Sequence, residues 1–150
     1  DPKWSLLAVC IVLIWSSIGT AVIIFLSGLQ GISTSYYEAA EIDGANAWQK
    51  FRSITFPLLS PTTFMLVVTE IIGFFQVFDL IFLMISSTSS GMKGARSIVM
   101  LFYEEAFSKF NKGYGAAIAN MLFLIILVIT IVQMKLQKKW VYSENGGDDK

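Results

Sequence analysis

Glu70, Gln76 and Asp79 stand inside an otherwise apolar stretch from Phe64 to Ile85. A charge at mid-bilayer depth costs roughly 2.5–3.5 kcal/mol on insertion scales, so groups kept there are candidates for a solute path. On an unbroken helix Gln76 and Asp79 share one face, whereas Glu70 points about 180° away from Asp79. Gln76 and Asp79 therefore form a candidate pair for hydrogen-bonding a hydroxyl-bearing solute, with Phe74, Phe75, Phe78 or Phe82 offering ring faces for stacking. The competing reading is interhelical hydrogen bonding or snorkelling to the interface. Glu70 reads as structural. Catalysis and metal binding have no support: the chain has no His and one Cys, Cys10, and a P-loop needs G-x4-G-K-[S/T], which Gly91-Met92-Lys93-Gly94 does not fit.

A second constellation is the polar run from Tyr36 to Leu59, which holds five of the 22 charged residues. Ser35 followed by Glu38 reads as a capping box that starts a helix at Tyr36. Asp43-Gly44 stops it, because Gly takes positive φ without steric cost. A second short helix from about Ala45 to Ser53 then puts Trp48 and Phe51 on one face, with Lys50 and Arg52 free to point at headgroups. Pro57 and Pro61 separate this unit from the next span. The product is a rigid bracket whose small residues Ala39, Ala40, Gly44 and Ala45 let a partner's backbone approach. From physics alone it is either such a docking bracket or an interfacial hairpin.

The elements that position these groups belong to a membrane. The chain is 55% hydrophobic and 15% charged, with twelve Phe and a mean hydropathy of +0.64, against about 45–50% and about 25% for soluble domains. Eleven basic and eleven acidic residues cancel, leaving no support for nucleic-acid binding. About 20 apolar residues cross a bilayer, and three stretches qualify: about 4–29, which carries no charge and is too long for a signal-peptide core, about 64–85, and about 114–134. The fold class is all-α, since a lone strand would leave backbone groups unsatisfied in lipid.

Between the second and third spans, residues 86–113 form a loop in which Ile98, Phe102, Ala106 and Phe110 recur every four residues, an amphipathic stripe with Glu104, Glu105 and Lys109 on the wet side. Gly115-Ala116-Ala117-Ala119 is a small-residue patch suited to close helix packing. Lys135, Lys138 and Lys139 read as headgroup anchors, and residues 141–150 as a disordered polar tail. The basic residues divide almost evenly between the two sides, so the charge balance alone sets no orientation.

Glu38-Ala39-Ala40, three residues, Gly44, nine residues, then Ile54-Thr55-Phe56-Pro57 resembles the E-A-A-x3-G-x9-I-x-L-P signature of permease subunits of binding-protein-dependent ABC importers, with Phe56 in place of the usual Leu. Ile42-Asp43-Gly44-Ala45, Phe51, Pro57-Leu58-Leu59, Pro61, Phe78-Asp79, Tyr103, Ala106-Phe107 and Gly113-Tyr114 look like the carbohydrate-uptake branch, which includes maltose-type, multiple-sugar and glycerol-phosphate importers. Resemblance runs from about Trp4 to Trp140. That branch usually has a Gly-Gly-Pro turn where this chain has Ser86-Ser87-Thr88-Ser89-Ser90-Gly91.

The resemblance implies that the bracket, residues 35–57, is a cytoplasmic coupling loop that docks on an ATP-binding subunit, with Glu38, Ala39, Ala40, Asp43, Gly44, Ile54 and Pro57 as its functional positions. It implies a bacterial cell membrane, the N-terminus of this chain outside, residues 86–113 outside and the C-terminus inside. It also implies a second permease subunit, an extracytoplasmic solute-binding protein and a sugar, with Gln76, Asp79, Phe75 and Phe78 on the solute path. No cofactor is expected on this chain, and ATP hydrolysis is expected in the partner. Relatives carry about three more spans, so the chain is expected to be the C-terminal half of a permease. The spans contain no Lys or Arg, which favours a neutral sugar over glycerol phosphate.

Overall fold

The computed structural model describes residues 2–85 and 92–140. In chain order it contains α1 (Pro2–Gln30), α2 (Thr34–Ile42), α3 (Ala47–Lys50), α4 (Phe56–Leu58), α5 (Ser60–Phe75), α6 (Asp79–Met84), α7 (Met92–Ala95), α8 (Ile98–Tyr103) and α9 (Lys112–Trp140), with π-helical turns at Phe51–Thr55 and Glu104–Ser108. Among the described residues there is no strand, as hydrocarbon demands of a chain that must satisfy its own backbone. The turn at 86–91, the tail at 141–150 and the side chains of Lys138 and Lys139 lie outside the described residues.

Two described helices, α1 and α9, are long and apolar enough to cross a membrane, and a third span exists if the bent pair Ala47–Leu58 and Ser60–Phe75 counts as one. Large apolar side chains such as Trp15, Ile23, Met121 and Phe123 stand exposed along α1 and α9, the condition of helices whose surroundings are lipid or further helices. Lys135 falls inside α9, which runs past the expected end of its span.

The chain divides into two compact units. In the unit made of Asp1–Ile18 and Thr69–Val132, Val9, Ile81, Ile85, Ala95 and Met100 form a small core, with Leu13, Val77 and Phe78 packed against it. The expected second span is not a single helix here. α5 ends at Phe75, residues 76–78 are non-helical, and Asp79 opens α6. Val77 and Phe78 are residues that prefer extended backbone, and Phe78 sits at φ −136°, ψ −55°. A carboxylate in the first turn of α6 complements its free N–H groups. The expectation that Gln76 and Asp79 share one helical face, and that Glu70 opposes them, is thereby overturned, because the helix that would hold them in register is broken between them.

The four-residue stripe in the segment 86–113 is also corrected. The π turn closes with the Lys109 N–H donating to the Glu104 carbonyl at 2.9 Å, and an i→i+5 turn shifts every later side chain off a four-residue spacing. Met100 and Ala106 are buried, while Phe110 is 79% exposed with φ +57°. Glu104 pairs with Arg96 and Glu105 with Lys109, and both carboxylates are largely shielded rather than free on a wet face. The turn sets Ala106 against Gly115: a Cβ on Gly115 would lie 2.7 Å from the Ala106 Cβ and 3.2 Å from its Cα. Of the small-residue patch, Gly115 makes this close approach, whereas Ala116, Ala117 and Ala119 stay exposed.

In the unit made of Gly19–Val68 and Gln133–Lys150, a second glycine does the same work. A Cβ on Gly28 would meet Thr62 Oγ1 at 2.7 Å and Leu59 Cδ2 at 3.0 Å. That contact sits where Ala47–Leu58 and Ser60–Phe75 meet at 58°. Pro57 and Pro61 flank the bend, and each removes a backbone donor. Pro57 does not end its helix but lies within α4, directly after the wide turn Phe51–Thr55. A π turn just upstream re-spaces the carbonyls that the proline ring would otherwise strike.

Candidate functional site

The polar bracket begins with α2. Its N-cap is Ser33, whose hydroxyl accepts from the Ser35 N–H at 3.4 Å and pairs with the Ser35 hydroxyl at 2.8 Å. The capping box expected at Ser35 and Glu38 is therefore not formed: the helix starts at Thr34, and Glu38 is already on its exposed side. A capping box is present one helix later, where the Asn46 carboxamide accepts from the Gln49 N–H at 3.0 Å and the Gln49 side chain accepts from the Asn46 N–H at 2.8 Å. Its sequence signal is Asn followed three residues later by Gln, the amide version of the same pattern.

The end of α2 is as expected, with its mechanism now visible. Gly44 has φ +75°. The Ala45 N–H reaches back to the Ala40 carbonyl at 2.9 Å and the Gly44 N–H to the Glu41 carbonyl at 3.0 Å, which is the Schellman termination with glycine in the left-handed position. Nothing lies within 4 Å of a Cβ placed on Gly44, so the requirement for glycine here is conformational and not steric.

Two cross-ties then close the bracket. Tyr37 Oη lies 2.9 Å from Thr55 Oγ1, joining α2 to the π turn. Lys50 Nζ donates to Glu41 Oε1 at 2.6 Å. Lys50 thus turns towards Glu41 rather than to a headgroup, against expectation. The hydrogen bond from Lys50, with the added pull of its charge, holds the Glu41 carboxyl below its ordinary range. Trp48 and Phe51 share a face as expected, with ring centroids 5.7 Å apart, and Phe51 continues to Phe56 at 6.5 Å.

These ties sort the signature residues by direction. Glu38, Ala39, Asp43 and Gly44 are exposed, while Ala40, Ile54 and Pro57 are half-buried. The solute-path candidates are sorted too. Asp79 is exposed at the start of α6, and Phe78 packs with Phe82 at 5.2 Å and Tyr103 at 5.1 Å. Gln76 instead opens on a cleft of about 450 Å³ with Val99, Phe102, Ala119, Leu122 and Phe123. Phe75 is half-buried. The packing of Tyr103 on Phe78 and Phe82 and the Gly28–Thr62 contact have no local spacing to mark them, because each joins residues distant in the chain.

Similarity to known proteins identifies the family. Residues 1–142 match the family model described as "Binding-protein-dependent transport system inner membrane component". The chain is 38% identical over 122 residues to the arabinooligosaccharides transport system permease protein AraP of Bacillus subtilis, covering 81% of this chain and 39% of that protein. It is 37% identical over 137 residues to the multiple sugar-binding transport system permease protein MsmF of Streptococcus mutans, covering 91% and 46%. It is 35% identical over 131 residues to the probable starch degradation products transport system permease protein AmyD of Thermoanaerobacterium thermosulfurigenes, covering 86% and 44%. The chain spans less than half the length of each of these three relatives. With long apolar helices, a glycine-terminated polar bracket and a family match over nearly its whole length, this chain is a multi-pass membrane protein that belongs to the family of inner membrane components of binding-protein-dependent transport systems.

Proposed function

We propose that the chain is part of the permease subunit of an ATP-driven sugar importer and that residues 35–57 couple it to an ATP-binding subunit. The bracket carries this reading. A lever must be stiff, and a Schellman turn, an amide capping box, a Tyr37–Thr55 tie and a Glu41–Lys50 pair all brace one short polar segment. An interfacial hairpin that only lined the membrane needs no such bracing. The loop then faces the cytoplasm, the N-terminus of this chain and residues 86–113 face outward, and ATP is hydrolysed by the partner. A second permease subunit and an extracytoplasmic solute-binding protein complete the assembly.

The sugar assignment rests on the names of the relatives, which speak of arabinooligosaccharides, multiple sugars and starch products, and on the apolar stretches 4–29, 64–85 and 114–134, which hold no Lys or Arg to bind an anion. On the solute path we place Gln76 and Phe78 within the helix break, with Phe75 and Asp79 at the helix ends on either side of it. Non-helical backbone at membrane depth is tolerated where it lines a cavity or is buried in protein. The test is uptake of labelled oligosaccharides into vesicles holding the full permease pair, ATP-binding subunits and cognate binding protein. ATP-dependent uptake of a neutral oligosaccharide is the expected result; uptake confined to glycerol phosphate would overturn the sugar reading.

A further inference from the structure

Phe110 is 79% exposed and stands at φ +57°, in the left-handed region that a bulky L-residue rarely adopts. Its backbone is fixed from both sides. Behind it the Lys109 N–H donates to the Glu104 carbonyl and the Asn111 N–H to the Glu105 carbonyl, each at 2.9 Å. Ahead of it the Asn111 carboxamide accepts from the Tyr114 N–H at 3.3 Å and the Asn111 carbonyl from the Gly115 N–H at 3.0 Å, which starts α9. Glycine is the usual residue where a helix closes through the left-handed region. Here a large apolar ring takes that place and stays bare among the described residues. Backbone strain kept at an exposed apolar side chain points to a surface outside the chain that takes the ring up.

The helix that follows sets the depth of that surface. Between Lys112 and Lys135 it carries no charge, and at about 1.5 Å per residue the interval is about 35 Å long, against about 30 Å of hydrocarbon. The match leaves the two lysines at the two edges of the hydrocarbon, where their charges meet water and phosphate instead of acyl chains. Phe110 precedes Lys112 by two residues, so its backbone lies within about 7 Å of that edge. Lys112 is exposed and has no ion pair among the described residues, whereas Lys109 is held by Glu105. Tyr114, at the same edge, is 53% exposed. A bare ring, a phenol and a free ammonium this close together suit the headgroup layer of a bilayer, which offers apolar contact to the rings and phosphate to the cation.

We infer that Phe110 is a membrane-surface anchor: its ring enters the lipid headgroup layer and, with Tyr114 and the Lys112 ammonium, fixes the depth of α9 and holds the turn Glu104–Ser108 at the bilayer surface. In detergent the ring meets the micelle in folded and unfolded protein alike, so depth in a bilayer, not an unfolding midpoint, reads the anchor.

The experiment uses the full permease with its ATP-binding subunits, with Cys10 and any other native cysteine replaced by serine, in vesicles of phosphatidylethanolamine and phosphatidylglycerol. A nitroxide is attached at Phe110→Cys and, separately, at Lys112→Cys. Power-saturation EPR then reads its collisions with oxygen, which concentrates in hydrocarbon, and with a water-soluble nickel chelate, which stays out of it. Both labels are expected to be reached by both reagents and to lie in the headgroup layer, within about 5–7 Å of the hydrocarbon edge. Collision rates at residue 110 equal to those of free nitroxide in buffer place the ring in water and overturn the inference. A rigid label reached by neither reagent means that protein covers the ring, and a label reached by oxygen alone places it in hydrocarbon; each overturns the inference too. Where Phe110→Cys fails to assemble, the Lys112→Cys label decides: headgroup depth upholds the anchor, and any other depth removes the boundary on which it stands.

Discussion

Gly44 shows how one dihedral angle can set the geometry of the bracket. Its φ of +75° lies in open space, so a substitution acts only through the backbone, where the left-handed region costs an ordinary L-residue roughly 1–2 kcal/mol. Gly44→Val is expected to leave insertion intact while lowering sugar transported per ATP hydrolysed, and Gly44→Asn, which tolerates this region, to retain most of it; a simultaneous uptake and phosphate-release assay checks both. Gly28 is the opposite case, a steric requirement. Gly28→Ala places a methyl 2.7 Å from Thr62 Oγ1 and is expected to destabilise the permease by about 1–3 kcal/mol, with most of the loss recovered in Gly28→Ala/Thr62→Ala by thermal unfolding in detergent. Glu41 supplies a pH signature. Its folded-state pKa is lowered by Lys50, so its contribution is present above the unfolded value and is lost as pH falls through the depressed one. Carboxyl NMR titration is expected to show Glu41 moving up toward its ordinary value of 4.5 in Lys50→Met.

Wide turns and breaks, more than the long helices, decide where side chains go at the level of elements. The π turn Phe51–Thr55 lets a helix run through Pro57 and then bend by 58° before α5. The π turn Glu104–Ser108 seats Ala106 against Gly115 and leaves Phe110 with φ +57°. Phe110→Gly is expected to raise the unfolding midpoint, since it relieves about 1–2 kcal/mol of backbone strain while sacrificing a ring that is mostly bare; a lowered midpoint would show that the ring is buried in the assembled permease. The break at residues 76–78 takes Gln76 and Asp79 out of one helical register, so the solute-path roles proposed for them are testable separately. Single substitutions Gln76→Ala and Asp79→Asn are expected to alter uptake additively, as sites without shared partners do, and strong coupling in the double variant would place them back at one subsite.

At the scale of the whole molecule the chain is a set of apolar helices with little buried core of its own. The buried apolar residues are few, and large hydrophobic side chains stand exposed on α1, α5 and α9. Lipid and neighbouring helices are the natural cover for such faces, in keeping with relatives more than twice as long as the matched segment. The polar bracket is braced within itself by the Tyr37–Thr55 and Glu41–Lys50 ties, which is the stiffness that the proposed coupling role requires.

Helical class, the positions of α1 and α9, the glycine stop at Gly44 and the signature from Glu38 to Pro57 were all legible in the residues, because hydropathy, positive φ and fixed spacing act locally. The cap moved from Ser35 to Ser33, Lys50 turned to Glu41, and the second span broke at 76–78. The first and last have local causes too weak to read with certainty against their neighbours, a Ser33–Ser35 hydrogen bond and the Val77-Phe78 pair, while the Lys50–Glu41 tie needs the turn at Gly44 to bring its partners together. The same holds for the direction of each signature residue. Ala39 and Ala40 are chemically identical and adjacent, and only the folded bracket, with its Tyr37–Thr55 tie across 18 residues, leaves Ala39 exposed and Ala40 half-buried.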